Sequence, residues 1–144
     1  MTRGAGYGGG RMMSKARPLI AVVDDEKSIC SALKRLIRSA GMEVKTYPSG
    51  EEFLKTVETR PPDLPDCVVL DLHMPKVSGY EVQSRLAQLG VRVPVVVITG
   101  HDTPESSARA RANGAAAYLL KPVDDRLLLD AIAAAIERES GVVS

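Results

Sequence analysis

Tryptophan is absent from the 144 residues, and the aromatic side chains are only Phe53, Tyr7, Tyr47, Tyr80 and Tyr118. So few rings exclude a base-stacking platform and argue against a flavin held between aromatics. Cysteine is scarce too. Cys30 and Cys67 cannot build a disulfide framework, and their spacing suits no zinc site. Both are expected to be small apolar side chains of a reducing compartment. No apolar run is long enough to span a membrane, and the first residues lack the apolar stretch of a secretory signal. A soluble, cytoplasmic protein is expected. An excess of one charge is also missing: 19 Lys+Arg against 18 Asp+Glu give a net charge of +1, without the field of a nucleic-acid binder.

That neutrality is an average over unlike parts. Residues 1–17 carry Arg3, Arg11, Lys15 and Arg17 with no acid, and five of the chain's 12 glycines. Such a segment cannot bury enough surface to offset its ordering entropy and is expected to be a disordered basic tail. The folded unit is expected over 18–140, with 141–144 a short C-terminal tail.

From Pro18 onward, short apolar runs alternate with amphipathic stretches. The runs are Leu19–Val23, Met42–Tyr47, Cys67–Leu70, Val95–Thr99 and Ala115–Leu120. Their brevity and β-branched content predict strands, and the near-continuous apolarity of the first, third and fourth predicts burial on both faces. Between them lie helical patterns. Ile29, Leu33 and Ile37 recur at four-residue spacing up to Gly41, and Ser49 with Glu52 predicts a capped start for the next helix. Later helices are predicted over Gly79–Leu89, Pro104–Asn113 and Asp124–Glu139. Five βα units make an α/β domain with a parallel sheet. The usual solution is a flavodoxin-like, doubly wound (βα)5 fold of strand order 2-1-3-4-5, with ligands at the strand carboxyl ends near the switch point.

Those strand ends carry the chemistry. The first strand runs into Asp24-Asp25-Glu26, the third into Asp71, the fourth ends in Thr99, and the fifth runs into Lys121-Pro122. The predicted sheet order therefore gathers carboxylates, a hydroxyl and an ammonium at one edge. Two carboxylates about 4 Å apart repel by roughly 4 kcal/mol at an effective dielectric of 20, and one lysine cannot balance three acids. A hard divalent cation such as Mg²⁺ is the natural complement. Metal, lysine and hydroxyl together suit a phosphoryl group, and an aspartate aimed at that site can form an acyl phosphate.

These residues resemble a known family, the response-regulator receiver domains of two-component signalling with the CheY-like fold. The resemblance covers Leu19 to about Glu139 and rests on V-V-D-D-E at 22–26, V-L-D-L-H-M-P-K-V-S-G at 69–79, V-I-T-G-H at 97–101 and Y-L-L-K-P at 118–122. Its wording is closest to receivers of nitrogen-fixation-type, LuxR-class regulators. The resemblance implies that Asp71 is the phosphoacceptor, taking the group from a sensor histidine kinase or a histidine phosphotransfer protein. It implies Mg²⁺ ligation by Asp24, Asp25, Asp71 and the backbone carbonyl of His73. Thr99 and Lys121 would hold the phosphoryl oxygens, the Lys121–Pro122 bond would be cis, and Tyr118 would be a switch aromatic. The protein would be a phosphoacceptor switching protein contacts rather than an enzyme with turnover, with a homodimer among the outcomes the family allows.

His73 and His101 follow Asp71 and Thr99 by two residues, where the resemblance places side chains that influence phosphoryl hydrolysis. A pH-dependent phosphoryl lifetime and an inert, solvent-facing position are both open readings for them. The stretch T-P-E-S-S-A-R-A-R-A-N at 103–113 offers only alanines to bury and predicts a weakly anchored helix. An aspartyl-phosphate phosphatase would need D-x-D-x-T, whereas His73 and Pro75 stand at its later positions. A flavodoxin-type phosphate loop is countered by Asp24-Asp25-Glu26, and a receiver-like binder without phosphorylation normally lacks a key residue that is present here. No helix-turn-helix follows the fifth helix, so direct DNA binding by this chain is not expected. A stand-alone receiver is favoured, with the receiver portion of a longer DNA-binding regulator as the alternative.

Overall fold

In a computed structural model the structure describes residues 17–139, and the two predicted tails lie outside these residues except for Arg17. Five strands and five helices alternate: β1 (Leu19–Val23), α1 (Lys27–Ser39), β2 (Glu43–Tyr47), α2 (Gly50–Glu58), β3 (Cys67–Asp71), α3 (Gly79–Gln88), β4 (Val95–Thr99), α4 (Pro104–Ala112), β5 (Ala117–Leu120) and α5 (Asp125–Glu139). All pairings are parallel, and the order β2-β1-β3-β4-β5 is the doubly wound arrangement expected from the sequence. The chain passes from β2 back across β1 to β3, which puts the switch point between the carboxyl ends of β1 and β3.

The two-residue alternation of the strands divides the core. Ala21, Val23, Val68, Leu70 and Val97 face Phe53, Leu54 and Val57 of α2 and Val82 and Leu86 of α3. Ile20, Val22, Val69, Val96 and Ile98 face Leu33 and Ile37 of α1 and Leu128 and Ile132 of α5. Central β3 and β4 are buried at every position, whereas β2 is an edge strand with three exposed residues. Each large apolar side chain removed from water contributes about 1.5–3 kcal/mol before ordering costs, so the central strands are the rigid base beneath their carboxyl ends.

Local chemistry fixes the helix starts. Ser49 accepts a hydrogen bond from the Glu52 amide at 3.1 Å, as its position predicts, without the reciprocal contact of a full box. A full capping box opens α3, where the Ser78 hydroxyl accepts from the Glu81 amide and the Glu81 carboxylate from the Ser78 amide. Predicted strand starts at Met42 and Ala115 are too early. The Ala115 amide donates to Ala110 and so closes α4, and the Ala116 amide first reaches across to Val95.

Candidate functional site

Asp24 follows β1 directly and is buried without exposure. Its amide donates to the Tyr47 carbonyl, and its Oδ1 accepts from the Glu26 amide at 2.9 Å, so the loop holds its carboxylate in place. Asp25 beside it is exposed. Asp71 is the last residue of β3, rather than the residue beyond it, and pairs with Ile98 of β4. It is 3% exposed, and its Oδ1 accepts from the His73 amide at 3.3 Å. The three aspartates each bring a carboxylate oxygen to within 4.8 Å of the others.

Lys121 reaches this cluster from the far end of β5. Its Nζ lies 2.9 Å from Asp24 Oδ2, 3.2 Å from Glu26 Oε1 and 3.6 Å from Asp71 Oδ1. The Lys121–Pro122 bond is cis, as the resemblance implied. Burial disfavours the charge on Lys121, but its contacts with Asp24, Asp71 and Glu26 outweigh this and raise its pKa. For Asp71, burial first and the neighbouring Asp24 charge second push the carboxyl up to about 6, against the opposing pull of Lys121 and the His73 amide. One lysine leaves the acids undercompensated, as the charge count predicted.

Thr99 ends β4 with no exposure. Its hydroxyl accepts from the His101 amide at 3.1 Å and lies 3.3 Å from the His101 carbonyl, to which it donates. It is thus engaged with its own loop. Tyr118 is half-buried on β5, and its hydroxyl donates to Asp102 Oδ1 at 3.0 Å. His73 and His101 are exposed, their rings edge to face at 5.6 Å. Of the two cysteines, Cys67 is buried, and desolvation pushes its thiol up to about 12. Cys30 is half-buried, and its thiol donates to the Asp24 carbonyl at 3.3 Å.

Two residues of the site carry roles that motif reading passed over. Glu26 is a third carboxylate on Lys121, and its place in the acidic run after β1 was the available signal. Gly79 opens α3, and a Cβ there would stand 2.5 Å from the Asp71 carbonyl oxygen and 2.7 Å from Leu72 Cα. Only glycine lets α3 start this close to the end of β3. Among the described residues, no helix is long and apolar enough to cross a membrane.

Residues 20–133 match the family model for the response regulator receiver domain. Nodulation protein W of Bradyrhizobium diazoefficiens is 38% identical over 131 residues, covering 91% of this chain and 56% of that protein. The response regulator protein TodT of Pseudomonas putida is 35% identical over 127 residues, 88% of this chain and 55% of TodT. The transcriptional regulatory protein FixJ of Rhizobium meliloti is 34% identical over 119 residues, 82% of this chain and 56% of FixJ. This chain thus spans little more than half the length of these relatives. Among solved structures, a response regulator receiver protein from Burkholderia phymatum superposes with a TM-score of 0.75 at 46% identity, over 83% of this chain and 95% of that one. The response regulator StyR superposes with a TM-score of 0.78 at 39% identity, over 88% and 62%. A match that runs from the first strand into the last helix, on a sheet of this order, shows that the chain belongs to the response regulator receiver domains.

Proposed function

We propose that the unit over 18–140 accepts a phosphoryl group on Asp71 from a phosphohistidine of a sensor histidine kinase or a histidine phosphotransfer protein, and thereby switches its contacts with other proteins. The observation that carries this reading is the buried Asp71 carboxylate set among Asp24, Asp25 and Lys121. In the transfer, an Asp71 carboxylate oxygen bonds to phosphorus as the bond from phosphorus to the donor's imidazole nitrogen breaks, and the freed imidazole takes up a proton. Lys121 holds charge building on the phosphoryl oxygens. Thr99 donates its hydroxyl there once it leaves the His101 carbonyl, and Tyr118 is free to turn when it releases Asp102. Asp71 is a phosphoacceptor, in a cytoplasmic signalling protein, and not a group that turns over substrate.

The site suits Mg²⁺. Its donors are all oxygens, and the buried Asp24 Oδ2 makes no directed hydrogen bond, with only the ion-pair contact to Lys121. Asp24, Asp25, Asp71 and the His73 carbonyl would hold the ion, which when bound neutralises charge on the carboxylates and the phosphoryl oxygens.

Incubation with acetyl phosphate and Mg²⁺ tests the reading. Intact-mass spectrometry should show one added phosphoryl group on the wild type and none on Asp71→Asn. Equal modification of the two proteins would overturn it.

A second reading concerns the whole protein. FixJ is named a transcriptional regulatory protein, and this chain spans 56% of it. On that observation the unit serves as the receiver of a transcription regulator, with DNA contacts made outside these residues.

A further inference from the structure

Lys121 is shared. Among its three carboxylates, Asp24 and Asp71 belong to the group able to hold a metal, and Glu26 does not. The Glu26 side chain is 58% exposed, while that of Lys121 is 14% exposed. Glu26 therefore draws the ammonium toward the rim of the pocket, and its contact is shorter than the one to Asp71. Once a cation occupies the aspartates, Glu26 is the carboxylate left to compete with a phosphoryl oxygen for the lysine.

Building on the phosphoacceptor reading, we infer that Glu26 is a positioning residue that holds Lys121 away from Asp71 and so restrains phosphoryl transfer. The ion pair is partly exposed and worth a fraction of a kcal/mol to about 1 kcal/mol, so releasing the lysine should speed transfer by about two- to fivefold. Glu26 touches neither Asp71 nor the reacting atoms, and its influence passes through Lys121.

Three substitutions separate reach from field. Glu26→Gln removes the charge, and Glu26→Asp keeps it but shortens the arm by one methylene. Glu51→Gln neutralises an exposed acid in the first turn of α2. Phosphorylation by acetyl phosphate with Mg²⁺ is timed by Phos-tag electrophoresis. Both Glu26 variants should be faster than wild type by the factor above, Glu51→Gln should not, and Glu26→Gln should add nothing in a Lys121→Ala background. A wild-type rate in Glu26→Asp, or a Glu26→Gln gain that survives without Lys121, assigns the effect to the general field and overturns the inference.

A second measurement needs no phosphoryl transfer. The side-chain ¹H–¹⁵N NMR signal of Lys121 in metal-free protein should shift in both Glu26 variants, and an unmoved signal overturns the inference. Failure of the wild type to take phosphoryl would instead strike the functional reading, and the NMR comparison would still decide whether Glu26 holds the lysine.

Discussion

At the scale of single residues, Asp71 carries a cost that pH reveals. Burial and the Asp24 charge lift its carboxyl to about 6, above the roughly 3.9 of an unfolded aspartate. A raised carboxylate pKa means that the folded state holds the proton more tightly than the unfolded chain. The stabilising effect of that proton is complete below about pH 4 and is lost as pH rises through about 6. Asp71→Asn, which imitates the protonated form, should therefore stabilise the metal-free domain by about 1–3 kcal/mol at pH 7.5 and by almost nothing at pH 4. Urea unfolding with a chelator at the two pH values checks this, and a gain of equal size at both would refute it. The identity of such residues was plain in the sequence because aspartates, threonine and lysine stood at the ends of apolar runs. Glu26 and Gly79 were less plain. The first acts through a lysine from the opposite side of the site, and the second through a backbone approach that no local pattern announces.

Among the elements, α4 departs most from the rest. α1 was legible because Leu33 and Ile37 repeat at helical spacing, and both are buried in the core. α4 buries only Ser106 and Ala110, in keeping with a sequence that holds no apolar side chain larger than alanine. The sequence did not reveal what holds it in place of apolar packing. Thr103 and Ser106 cap its start reciprocally, the Arg109 guanidinium lies over the Tyr80 ring at 4.0 Å, and the buried Gln83 side chain of α3 donates from Nε2 to the Ala110 carbonyl at 3.1 Å. The cap is local, but the Arg109–Tyr80 and Gln83–Ala110 contacts join residues distant in sequence, so periodicity cannot show them. Amides at 107–113 should exchange with solvent faster than those at 31–39. Gln83→Met, which keeps volume and removes the bond, should speed exchange in α4 by about two- to tenfold and leave α1 unchanged. Protection in α4 equal to that of α1 would contradict this account of its anchoring.

For the molecule as a whole, near-neutral net charge is a poor guide and placement is decisive. Strand order was readable because short β-branched runs alternate with helical patterns, and right-handed crossovers leave few arrangements. That order brings Asp24, Asp25 and Asp71 to one sheet edge only when the chain is folded, so a cation held by all three binds the native state and not the unfolded one. At a free concentration a hundredfold above its dissociation constant, Mg²⁺ should add about 2.7 kcal/mol to stability, a rise in Tm of roughly 5–15 °C for a domain of this size. Sodium chloride at matched ionic strength only screens the repulsion and should give a much smaller rise. Asp25→Asn alters an exposed member of the acidic cluster without touching the core, so it should fold normally and lose most of the Mg²⁺ effect. The response also has a pH limit. Below about 6 the ion must displace the Asp71 proton, and its apparent affinity should fall by up to about tenfold per pH unit. Scanning calorimetry across pH 5 to 8 with each salt measures all of this. An Mg²⁺ effect that sodium reproduces, or that Asp25→Asn retains, would mean that the acidic edge is relieved by screening and holds no ion.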